Sequence, residues 1–139
     1  MIIRILWGIL AAAAITLSVI SSVDYGWIVG GPVVVFALLP DVALIGAFDP
    51  TRSGALRPDR VVGYNMLHLA RFPVLLIAGG SLITLPVVGG APGGAVVVGM
   101  GLAWLAHIAV DRAVGYGLRD RDGYIRSVAG TPTPGACQA

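Results

Sequence analysis

Four long apolar runs leave this chain little choice but to fold in a lipid bilayer. They are Ile5–Ser22, Trp27–Phe48, Val61–Val88 and Ala95–Val114, and each meets or approaches the ~20 apolar residues that cross the hydrocarbon. Charged residues make up 12% of the chain and mean hydropathy is +0.89, against about 25% charged residues in soluble domains. The expected fold is all-α: an integral membrane bundle of four transmembrane helices, with kinks near Pro40 and Pro73.

The arginines give that bundle an orientation. The chain has no Lys and no Glu, so its charge lies on nine Arg and seven Asp. Arg4 precedes the first run, and Arg52, Arg57 and Arg60 lie between the second and third. Arg112, Arg119, Arg121 and Arg126 end or follow the fourth. The other two connections carry no basic residue. With four spans, every arginine-bearing connection falls on one side, which the positive-inside rule makes cytoplasmic, together with both termini. A transmembrane domain over 1–118 and a short, partly disordered cytoplasmic tail over 119–139 are expected. The first run has a basic start and an apolar centre, as a cleaved signal peptide would. It is long for that purpose, and no A-x-A site follows.

Other signals exclude more than they suggest. A net charge of +2, dispersed along the chain, gives no nucleic-acid footprint. The single Cys137, in the TPTPGACQA tail, permits no internal disulfide. No phosphate-binding loop, G-x-S-x-G, C-x-x-C or H-E-x-x-H is present. Gly26-x-x-x-Gly30 could bring two helices close. The connections expected between runs are SSVDYG (21–26), DPTRSGALRPDR (49–60) and GGAPGG (89–94).

Ionisable groups inside the apolar runs are the functional candidates, because each costs several kcal/mol to bury unpaired. They are Asp41, His68, Arg71, His107 and Asp111. In the four-span topology Asp41, His68, His107 and Asp111 all fall in the cytoplasmic half of the bilayer. His107 and Asp111, at i and i+4, share one helix face. Two imidazoles and two carboxylates suit one divalent metal, Zn or Mn, better than Ca²⁺. Such an ion can lower the pKa of a bound water, and a free carboxylate can act as base. Tyr64 and Asn65 would orient ligands or substrate, and Arg71 would hold a phosphate or carboxylate headgroup. Each residue also has a structural reading. Asp41 could cap a helix over 42–48, His68 and Arg71 could snorkel, and His107 could simply bond Asp111.

PD at 40–41, YNMLH at 64–68 and WLAHIAVDRAVGYGL at 104–118 resemble the bacterial membrane proteins called domain of unknown function 4260. The resemblance runs from about the second span to residue 130. It implies a small multi-span protein of a bacterial inner membrane, with no assigned activity. Members often carry a His after G-Y-G-L, where this chain reads YIRSVAG, so no tail ligand follows. A more distant resemblance is to predicted membrane-bound metal-dependent hydrolases, which carry L-P-D, a central His-bearing helix and H-I-x-x-D. Leu39-Pro40-Asp41, His68 and His107 to Asp111 correspond. The second Asp and the His that those enzymes carry after L-P-D are replaced by Val42, Ala43 and Leu44, which implies a single metal at most, or a decayed site.

Three functions are therefore weighed. The leading expectation is a metal-dependent hydrolase with a cytoplasm-facing Asp/His pocket, acting on a lipid-like or interfacial substrate, with Asp41, His68, His107 and Asp111 as ligands or acid/base groups. The second is a non-catalytic membrane subunit or small transporter in which these groups form a structural or proton-carrying network. The third, a haem held by His68 and His107, sets two carboxylates beside the porphyrin, a poor arrangement. The lipid bilayer is the one partner implied.

Overall fold

The computed structural model describes residues 1–85 and 92–128, all helical apart from loops and two isolated β-bridges. The helices are α1 (Ile2–Tyr25), α2 (Trp27–Leu38), α3 (Pro58–Leu67), α4 (Arg71–Ile83) and α5 (Gly93–Val114), with a 3-10 helix over Leu39–Leu44 extending α2. They make four segments long and apolar enough to cross a membrane: Ile2–Tyr25, Trp27–Leu44, Pro58–Ile83 and Gly93–Val114. The turn expected at 89–94 lies largely outside the described residues, as do Cys137 and the tail from 129 on.

α5 is the axis of the bundle. It packs against α1, α2 and α4, and 56% of its apolar window is buried, against 11–17% in the other three spans. The outer helices turn large apolar side chains outward, among them Ile5, Ile9, Leu17, Trp27 and Leu75. A surface of this kind fits a lipid bilayer. α1 meets its neighbours through Ala11, Ala14 and Ser18, a stripe at i, i+3 and i+7. The polar stretch expected to connect the first two spans is mostly helical. α1 runs to Tyr25, and the turn is made at Gly26, whose φ of 61° favours glycine.

Close helix approach lies elsewhere than Gly26 and Gly30. No atom lies within 4 Å of a Cβ built on Gly26. The contact is between α4 and α5. A Cβ on Gly94 would stand 2.6 Å from the Gly80 carbonyl oxygen, and one on Gly101 would stand 2.7 Å from Ile77 Cγ1 and 2.8 Å from the Pro73 carbonyl oxygen. Small residues let the two backbones touch, as membrane helices do where dispersion is the main attraction.

The third span is broken. α3 ends at Leu67 and α4 begins at Arg71, so the interruption falls at 68–70, one turn before Pro73. Proline lacks the N–H that Leu69 would need four residues on, and Phe72 N–H reaches Leu69 at 3.3 Å instead. Non-helical backbone at membrane depth survives only when protein satisfies it. Here α5 does so: Trp104 Nε1 donates to the Leu67 carbonyl (2.7 Å), and an Arg112 amino group donates to the His68 carbonyl (3.2 Å).

All the arginine-bearing segments gather at one end of the bundle. Arg4 donates to the Ala113 and Val114 carbonyls (2.7 and 2.8 Å), closing the C-terminus of α5. The stretch 115–128 folds back on the 45–57 loop. Leu56 N–H bonds the Gly123 carbonyl (3.0 Å), and Arg119 bonds the Gly54 and Gly123 carbonyls (2.8 and 3.1 Å). Ala47, Leu56, Val61 and Tyr64 form a small buried core beneath. In the loop, Thr51 and Arg52 donate to Asp49 and hold its carboxyl well below the usual carboxylate range.

Gly101→Ala tests the α4–α5 contact. Overpacking of this kind costs about 1–3 kcal/mol, so the midpoint of thermal unfolding in detergent should fall, whereas Gly63→Ala, with open space around it, should leave it nearly unchanged.

Candidate metal centre

His68 sits where α3 ends, Asp41 in the 3-10 turn that follows α2, and His107 and Asp111 on α5. The helix breaks therefore build the site. The interruption at 68–70 lays His68 against α5, and the tighter turn begun around Pro40 brings Asp41 to His107. Asp41, His68 and His107 each offer a ligand atom within 4.8 Å of the others.

Backbone carbonyls fix both imidazoles. His68 Nδ1 lies 2.8 Å from the Tyr64 carbonyl oxygen, and His107 Nδ1 lies 2.8 Å from that of Ala37, in the last turn of α2. A carbonyl can only accept, so each Nδ1 donates its proton there and each ring turns its Nε2 inward. Both Nε2 atoms are buried and make no hydrogen bond. They face carboxylates: His68 Nε2 is 3.4 Å from Asp111 Oδ2, and His107 Nε2 is 3.6 Å from Asp41 Oδ1 and 3.7 Å from Asp111 Oδ2.

In a neutral ring Nε2 carries a lone pair, and a lone pair aimed at an anion is repelled unless a proton or a cation stands between them. A buried acceptor left unpaired costs about 1–3 kcal/mol. The separations are too long for charge-assisted hydrogen bonds, which run ~2.7–2.9 Å. They are close to the ~3.3 Å edge of a tetrahedron whose metal–ligand bonds are ~2.0–2.1 Å. A histidine whose second nitrogen donates to a backbone carbonyl is the usual support of a metal ligand.

The flanking residues divide. Tyr64 stacks on His68, ring centroids 3.9 Å apart, and its carbonyl orients that ring. Asn65 clamps the C-terminal stretch, its amide donating to the Arg119 carbonyl (2.9 Å) and its oxygen accepting the Arg119 N–H (2.7 Å). Arg71 is exposed, its guanidinium over the neighbouring Phe72 ring at 4.9 Å. It is not brought to the cluster.

Two supports were invisible as such in the sequence. Trp104, which an apolar run would let face lipid, is buried between Phe36 and Phe72 and holds the Leu67 carbonyl. Arg112, an expected interfacial anchor, also bonds the Tyr116 carbonyl (3.1 Å). The one available signal was spacing: 104, 107, 111 and 112 share a face of α5.

The fold and this cluster define a four-span helical membrane protein with an Asp/His group able to hold a metal ion. The chain matches the family described as Domain of unknown function (DUF4260) over residues 3–130, and it belongs to that family. Comparisons with curated proteins and with solved structures return no match.

Trp104→Phe keeps the ring and removes the donor to Leu67. It should lower stability in detergent by about 1–3 kcal/mol, measured as a drop in thermal midpoint. Phe72→Leu, which removes only a packing partner of the same indole, should cost less.

Proposed function

We propose that this protein is a membrane-embedded metal enzyme, a hydrolase acting on a lipid-like or interfacial substrate. Asp41, His68, His107 and Asp111 hold one Zn or Mn ion. The observation that supports this is the pair of imidazoles locked with Nε2 inward, 3.4–3.7 Å from carboxylate oxygens. His68 is only 2% exposed, and its Nε2 has no hydrogen bond. Asp41, with a side chain 55% exposed, marks the open side. When bound, the ion supplies Lewis-acid polarisation and a water of lowered pKa. His68 and His107 bind it as neutral ligands. Asp111 stands within reach of both and can ligate or accept a proton, while Tyr64 steadies the His68 ring. The distant likeness of L-P-D and H-I-x-x-D to membrane-bound metal-dependent hydrolases supports the reaction class.

Metal analysis of the purified full chain tests this reading. One equivalent of Zn or Mn is expected, and His68→Ala or His107→Ala should weaken retention about tenfold or more, a loss of at least ~1.4 kcal/mol. Sub-stoichiometric metal that is unchanged by His107→Ala overturns it. The same contacts favour a second reading, a proton-carrying or structural network in a non-catalytic subunit or transporter, since a proton on either Nε2 turns repulsion into an ion pair. His107→Ala would then lower thermal stability and leave metal content alone.

The arginine-rich end, in this reading, faces the cytoplasm of a bacterial cell, with the membrane the inner one. In a Cys137→Ala background, a membrane-impermeant maleimide should label Asp24→Cys in intact cells and Ser53→Cys only after permeabilisation. The reverse pattern would invert the topology.

A further inference from the structure

A chamber of about 330 Å³ lies between α1, α2 and α5. Its walls are apolar, from Ile15 and Val19 on α1, Val33 on α2, and Ala103, Ala106 and Val110 on α5, and His107 and Asp111 stand at one end. Along α5 the lining runs from Ala103 to Asp111, roughly 12 Å at 1.5 Å per residue. Ser18 also lines it, but its hydroxyl donates to the Ala14 carbonyl at 2.8 Å. The chamber therefore has an apolar body and a polar head.

We propose that this chamber seats one hydrocarbon chain of a bilayer amphiphile, with the oxygen-bearing head at His107 and Asp111. The placement of the head rests on the metal-centre reading; the placement of the chain does not. Three features select this occupant. The volume falls in the ~300–1,000 Å³ range of ligand pockets, whereas a helix, ~10–12 Å across with its side chains, is too wide to enter. The apolar walls are open on one side, so a hydrocarbon chain of the surrounding bilayer can enter. The charge is complementary as well: a cation held by the two imidazoles attracts a carboxylate or phosphate oxygen at that end, and nothing polar competes for it farther along. The scaffold thereby aligns a chain so that its ester or acid head lies beside His107 and Asp111.

Photolabelling of the full chain in phosphatidylcholine nanodiscs, with palmitic acid carrying a diazirine on its chain, tests this. Labels should concentrate on Ile15, Val19, Val33 and Val110, and unlabelled palmitate should reduce them about tenfold. Val33→Trp, and separately Ile15→Trp on the more exposed wall, should each lower chamber labelling by a similar factor with metal content unchanged. Labelling spread evenly over the outward Ile9, Leu17 and Val34, insensitive to competitor and to both variants, overturns the proposal and leaves only boundary lipid. Metal content of the same samples separates the two readings. Chamber labelling without bound metal supports the chain site and removes the metal centre; bound metal without chamber labelling does the opposite.

Discussion

Backbone carbonyls left without helical partners inside a membrane must find donors, and α5 supplies them. The third span breaks at 68–70, and Trp104 and Arg112 answer with bonds to the Leu67 and His68 carbonyls. The second span tightens into a 3-10 turn after Leu38, and His107 bonds the Ala37 carbonyl. Water cannot perform this service in hydrocarbon, where each unsatisfied group costs several kcal/mol. Donors on α5 satisfy carbonyls at both breaks. That explains why α5 is the buried axis and why glycines let α4 lie against it.

The same bonds prepare the chemistry. A histidine that donates through Nδ1 to a carbonyl presents Nε2 as a lone pair, in a fixed direction, to whatever lies opposite. Asp41, His68 and His107 offer ligand atoms within 4.8 Å of one another, and Asp111 lies 3.4 and 3.7 Å from the two Nε2 atoms. Structural demand and ligand geometry are thus met by one set of contacts. Tyr64 links them to the arginine-rich end, since its ring stacks on His68 and lies beneath the Arg119 guanidinium, 5.4 Å from its centroid.

Much of this was legible in the residues. Apolar run length revealed the four spans, and Arg spacing anticipated that Arg4, the 49–60 loop and the post-α5 stretch would meet at one end, as Arg4 bonding Ala113 and Val114 shows. The shared depth of Asp41, His68 and His107 anticipated their convergence. Boundaries fared less well. SSVDYG reads as a loop from its polarity, yet it continues α1 to Tyr25, and Ser22 returns its hydroxyl to the Ser18 carbonyl within the helix. The glycine pair that mattered was not Gly26 and Gly30 but Gly94 and Gly101 facing α4, since close approach depends on which faces meet.

By itself, then, the sequence determined that the chain forms four segments long and apolar enough to cross a bilayer and that its few ionisable groups interrupt them, because hydropathy and charge placement are properties of each segment alone. Tertiary structure decided which of those groups meet. Arg71 and His68 lie within one turn of each other, yet only His68 turns inward, since the break at 68–70 changes the direction of the chain between them. Nor do residue types state that the Tyr64 and Ala37 carbonyls would set both imidazole tautomers. Those acceptors are backbone atoms common to every residue, and only packing brings a particular one within 2.8 Å of a ring nitrogen.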